Sequence, residues 1–261
     1  MVVSHVLAPL WRVRITVAYA AALFAIASLL VALGPGAQHR VVALWSTNLH
    51  NLAEGRLGTL LASAFVTGEG QTYLLLPGLV CLLALAELLW RSRRLVQVFL
   101  LGHVGATLIV AAGLAFAIKV GWAPITVSHA DDVGLSYGAV AVLGTLTAAI
   151  PGRWRPAWIT GWLTVAAAVV VLGGGFTAAG HTVALLLGIA LSTRVRLGWP
   201  VSVHWTVFRR VLLAGGAAFG LLLLVGVALP SALVAVPAGV ATALLAWSVT
   251  LRASRTPARR T

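Results

Sequence analysis

The sequence predicts an all-α membrane protein of eight helical spans, and three observations carry that prediction. Hydrophobic residues fill 61% of 261 positions and charged residues only 9%, with a mean hydropathy of +1.03. A water-soluble chain of this size needs more polar surface than that. Apolar runs of roughly 17–22 residues recur with charges almost only between them, the length that a bilayer core demands of a helix. Arginine clusters in alternate connections, as in a chain threaded back and forth through a membrane.

The runs lie at 15–33, 72–90, 96–117, 134–150, 157–173, 176–192, 211–229 and 231–251. The first follows Arg12 and Arg14, is long enough to span and has no clear small-residue cleavage site, so it reads as a retained span. Pro230 and Ser231 separate the last two, a proline-centred break that suits a tight hairpin at the bilayer surface. The chain therefore divides into a basic N-terminus (1–14), a six-span core (15–193), a basic linker (194–210), a C-terminal two-span hairpin (211–251) and a basic tail (252–261).

With the N-terminus in the cytoplasm, fifteen arginines fall in inner segments, against Arg40, Arg56 and Lys119 outside. That asymmetry predicts a multi-pass protein of the plasma (inner) membrane with both termini cytoplasmic. Four of the five acids, Glu54, Glu69, Asp131 and Asp132, fall outside. The net charge of +13 is thus a topology signal, for which anionic lipid headgroups are sufficient partners and a nucleic acid is not required. Trp11, Trp45, Trp90, Trp122, Trp154, Trp158, Trp199 and Trp205 sit mostly near span ends, as interfacial anchors do. The single cysteine, Cys81, lies inside a span and can form no intramolecular disulfide.

Polar residues inside spans are costly unless partnered, so they are the informative ones. Ser136 follows Asp131 and Asp132 at the start of the fourth span, and His181 lies early in the sixth. Both spans run from outside to inside, which puts the two residues at similar depth. Gly180, Ala184 and Gly188 form a small-residue stripe at spacing four, and the fourth span offers Gly134, Gly138 and Gly144. Such stripes let membrane helices approach closely. A hydroxyl and an imidazole then face one another, as a serine nucleophile and its base require. His103 is expected well below Ser136, in a helix-packing role. Glu87 precedes Arg91 by four residues and is expected to pair with it near the inner surface. His39, His50 and His129 lack metal-ligand spacing, so neither a metal nor another cofactor is expected.

These residues resemble the rhomboid family of intramembrane serine proteases, and more closely an actinobacterial rhomboid-like branch. Gly134-Leu135-Ser136-Tyr137 is similar to the family's fourth-span serine motif, with Gly144 matching a further glycine. His181, Ala184 and Gly188 are similar to its sixth-span pattern, alanine replacing one glycine. Leu60-Leu61-Ala62-Ser63-Ala64-Phe65, Glu87, Ser46-Thr47-Asn48 and Gly102-His103-Val104-Gly105-Ala106-Thr107 extend the likeness over about 15–193.

The resemblance implies a six-span rhomboid-like bundle in which Ser136 attacks a peptide carbonyl and His181 is the general base. The family's second-span oxyanion residues fall at Gln71, which can donate a hydrogen bond, and Leu75, which cannot. The polar segment at 46–51 is a further source of such a donor. Tyr137 replaces a glycine, and Val140 replaces the tyrosine that stacks on the histidine. The implied function is cleavage of a membrane-anchored protein near its outer end. A catalytically inactive rhomboid-like protein that binds transmembrane helices is the alternative, and a small transporter a third.

Overall fold

The computed structural model describes residues 11–67, 71–173, 175–198, 203–226 and 229–255. Its framework is eight helices: α1 (Arg14–Leu33), α2 (Gln71–Trp90), α3 (Ser92–Lys119), α4 (Ser136–Thr145), α5 (Arg155–Val171), α6 (Gly175–Gly198), α7 (Val207–Val225) and α8 (Leu229–Arg255). Seven of them are long and apolar enough to cross a membrane, and Ser136–Ala148 is a shorter apolar helix. Among the described residues there is no strand. The protein is an all-α membrane bundle, as its hydropathy requires.

The helices overrun the apolar runs that announce them. α3 begins at Ser92 and α6 continues to Gly198, because arginines at a helix end are solvated without interrupting the backbone ladder. α4 does the opposite. It starts at Ser136 and, with a 3-10 turn at Leu146–Ala148, is about 20 Å long, some 10 Å short of a bilayer's apolar core. Its residues Tyr137–Thr145 are all buried, so this helix stands inside the bundle with other helices as its solvent.

Glycine sets how closely α4 is wrapped. A Cβ on Gly144 would lie 2.6 Å from the Leu185 carbonyl oxygen, and one on Gly188 would lie 2.1 Å from that of Ala141. α4 and α6 therefore meet backbone to backbone, and the Thr145 hydroxyl donates across the seam to the Gly188 oxygen at 3.0 Å. On the α3 side, a Cβ on Gly102 would strike Ala141, and one on Gly138 would strike the Phe99 ring.

The last two helices follow one another closely in the chain but clasp different parts of the bundle. α7 lies along α2, with Gly215 against Cys81 and Gly216 against Leu82, and its Gly220 abuts Leu143 of α4. α8 lies along α5, where Gly239 faces Gly161 and the Thr242 hydroxyl donates to Thr164 Oγ1 at 3.0 Å.

Two expectations fail here. Glu87 forms no ion pair with Arg91. Its carboxylate accepts from Ile15 N–H at 3.0 Å, Thr16 N–H at 2.8 Å, Thr16 Oγ1 at 2.7 Å and Ser92 Oγ at 2.6 Å. It thereby caps the start of α1 and fastens the one-residue α2–α3 turn, where Arg91 has φ +69°. Backbone donors with no partner within their own helix outcompete a solvated guanidinium for a buried carboxylate. Trp90 is fully buried rather than interfacial, because that tight turn folds it into the core. Trp199 lies outside the described residues.

Candidate active site

The segment before α4 is held by the long first connection rather than by the helix itself. Short helices at Pro35–Trp45, Leu49–Ala53 and Thr59–Ala62 fold this connection onto the bundle. The Ser46 hydroxyl accepts from Asp132 N–H at 2.8 Å, Thr47 N–H donates to the Asp132 carbonyl at 2.9 Å, and Gly134 N–H donates to the Ser63 carbonyl at 2.8 Å. Gly134 has φ +117°, a conformation only glycine adopts without strain. Gly134 is thus a turn residue outside the helix, and Gly138 packs on Phe99 rather than on α6.

Ser136 is the first residue of α4. Leu135, in the cap position, offers no side-chain acceptor, so N–H groups of the first turn are left uncapped. His181 lies in the second turn of α6, 6% exposed, and its Nε2 has no hydrogen-bond partner. Ser136 and His181 line one cavity of about 290 Å³ together with Thr67, Leu74, Leu75, Val133, Gly134, Leu135, Thr177, Leu222, Leu223 and Gly226. No hydrogen bond joins them, since Nε2 is unpaired.

Tyr137 orients the histidine. Its ring meets the imidazole edge to face, with centroids 5.5 Å apart at 84°. Gly180 makes room for it, because a Cβ there would lie 2.3 Å from the Tyr137 hydroxyl. An aromatic partner for His181 is thus present, supplied from position 137, while Val140 is buried in the same apolar cluster as Tyr137 and Ala184. Ala184 is fully buried one turn below His181. The Tyr137 hydroxyl completes no hydrogen bond, although the Asp132 carboxylate lies nearby. Burial pushes the Asp132 carboxyl up to about 6, an effect the Tyr137 hydroxyl offsets in part.

Leu75 is on the cavity wall, and the side chain of Gln71 lies outside the described residues. The polar segment at 46–51 is committed to its own loop. Asn48 Oδ1 accepts from Asn51 N–H at 2.8 Å, Asn51 Nδ2 donates to the Ala43 and Ser46 carbonyls, and the Thr47 hydroxyl donates to the Thr59 carbonyl at 2.7 Å. None of its residues lines the Ser136 cavity.

His103 lies below Ser136, since Gly102 beside it packs against Ala141, five residues down α4, and the His103 ring reaches the first connection. His103 Nε2 is 3.2 Å from Ser63 Oγ, which also takes the Thr47 hydroxyl at 2.9 Å. This second serine–histidine pair is 1% and 2% exposed, so it fastens the first connection to α3 and admits no substrate. Among the described residues no group of three metal-ligating side chains is clustered.

Residues the sequence reading missed are Tyr137 as the partner of His181, Thr67, and the α7 residues at the cavity. Thr177, four residues before His181, shares its helix face, and that spacing alone could have found it.

A family model described as rhomboid-like protein matches residues 11–198. No curated protein and no solved structure matches the chain.

Proposed function

The chain belongs to the rhomboid-like family, and on that premise we propose that it is an intramembrane serine protease in which Ser136 is the nucleophile and His181 the base. The observation that carries this reading is the shared cavity. A serine at an uncapped helix start and an imidazole whose Nε2 is buried and unpaired belong to its wall. Catalytic hydrogen bonds are often unmade before substrate binds, so the gap between the pair is compatible with the role.

In the proposed reaction Ser136 Oγ adds to the scissile carbonyl while its proton passes to His181 Nε2. The tetrahedral intermediate collapses, the C–N bond breaks and the imidazolium returns the proton to the leaving amine. Water, deprotonated by His181, then adds to the acyl-serine and releases the carboxyl product. The uncapped N–H groups of Ser136 and Tyr137 point along the helix axis toward the cavity end of α4. They supply the oxyanion donors that Leu75 does not, aided by the positive end of the helix dipole. The substrate is a membrane-anchored protein cut toward the face opposite the arginine-rich one, and both termini lie in the cytoplasm on the distribution of arginine.

Leu74, Leu75, Leu222 and Leu223 favour a second reading, because they make much of the wall apolar. A catalytically silent protein that binds transmembrane helices would use the same cavity. Co-reconstitution with a library of single-span reporter proteins in liposomes separates the two. Proteolysis predicts reporter fragments that vanish in Ser136→Ala and in His181→Ala. Reporters captured intact, alike by the wild type and both variants, would favour the silent reading.

A further inference from the structure

A second cavity has about twice the volume of the Ser136 site. It opens at the arginine-rich end, between the α4–α5 connection, the start of α7 and the last turns of α8, with a volume of about 600 Å³. Four indoles, Trp154, Trp158, Trp205 and Trp247, form its walls, and Ile150, Leu213 and Leu244 give it an apolar lining. Trp154 and Trp247 stack face to face with centroids 4.9 Å apart at 8°, which ties α8 to the α4–α5 connection. Arg153 and Arg210 stand at its rim.

Charge decides what such a groove accepts. Both guanidiniums are exposed, and neither forms an ion pair or side-chain hydrogen bond. The sequence has five side-chain carboxylates; Glu69 lies outside the described residues, and Glu54, Asp131 and Asp132 belong to connections of the opposite end. The fifth, Glu87, is taken up by α1 and Ser92. Among the described residues no side-chain carboxylate reaches this groove. Two forked donors select a phosphate over a point acceptor, indoles belong at the depth where headgroups meet acyl chains, and the apolar lining suits the first methylenes.

We propose that this groove is a binding site for an anionic glycerophospholipid. Its phosphodiester sits between Arg153 and Arg210, and its acyl chains run down the α5–α8 face past Ala243 and Leu244. The groove lies between α5 and α8, outside the Ser136 cavity, and the proposal stands whether or not that cavity is catalytic. The bound lipid bridges the core helix α5 to α7 and α8, whose residues lie outside the family match.

The test is native mass spectrometry of delipidated full-length protein titrated with phosphatidylglycerol or with phosphatidylcholine of the same chains. Phosphatidylglycerol is expected to bind more tightly, and Arg153→Gln with Arg210→Gln to lower its affinity about thirtyfold, some fivefold for each arginine. Arg209→Gln, whose guanidinium donates to the His204 carbonyl, should leave the preference intact. High ionic strength should shrink the preference in the wild type, a readout that needs no variant. Equal binding of the two lipids, or a preference that survives both substitutions or high salt, would overturn the proposal. So would inorganic phosphate raising the melting temperature as much as the lipid does, since the site would then serve a soluble anion.

Discussion

Glu87 and Asp132 are two carboxylates that this bundle treats in opposite ways. Glu87 is 2% exposed and accepts hydrogen bonds from two backbone N–H groups and two hydroxyls. Glu87→Ala strands those donors and should cost about 3–5 kcal/mol, read as a lowered melting temperature in detergent. Asp132 has little such help, and burial raises its carboxyl to about 6 from an ordinary 3.8. The folded state then binds this proton more tightly than the unfolded chain. The contribution of this group to stability is greatest below about pH 4 and is lost as pH rises through about 6. Asp132→Asn should flatten that part of the stability profile, measured as melting temperature against pH. Ser136 and His181 are legible in the sequence because polar residues stand out in apolar runs. Tyr137 is not, since its partnership with His181 depends on the rotation of α4 against α6, which no spacing within one helix records.

At the scale of elements, the α4–α6 seam governs the site. Gly188→Val places a Cβ against the Ala141 carbonyl and should destabilise the bundle by about 3 kcal/mol while disturbing the cavity above it. The equivalent change at Gly113, where an added Cβ meets nothing within 4 Å, is the control that should cost far less. The α2–α3 turn allows a change in the other direction. Arg91 holds φ +69°, so Arg91→Gly should raise stability by about 1 kcal/mol. Apolar runs make the eight helices legible but not their ends. Nothing in 134–150 marks where hydrogen bonding begins, because Gly134 and its neighbours are held by Ser46, Thr47 and Ser63 from a segment some 70–90 residues earlier.

For the whole molecule, α7 joins the appended helices to the Ser136 cavity. It lies outside the family match, yet Leu222, Leu223 and Gly226 close one side of the Ser136 cavity and Gly220 rests on Leu143 of α4. A sequence shows that two spans have been appended, but not which face of a six-helix core they cover. Its polar residues likewise do not reveal that the first connection spends its donors on closing itself. The site that results is a small apolar chamber with one hydroxyl-bearing helix start and one unpaired imidazole. In the proposed reaction Ser136 is an activated nucleophile there. Incubation of the liposome-reconstituted protein with a fluorophosphonate, followed by intact mass and peptide mapping, tests it most directly. A single adduct on Ser136 is expected, lost in Ser136→Ala and in His181→Ala and retained in Ser63→Ala. An unmodified wild type, or labelling that persists in Ser136→Ala, would contradict it.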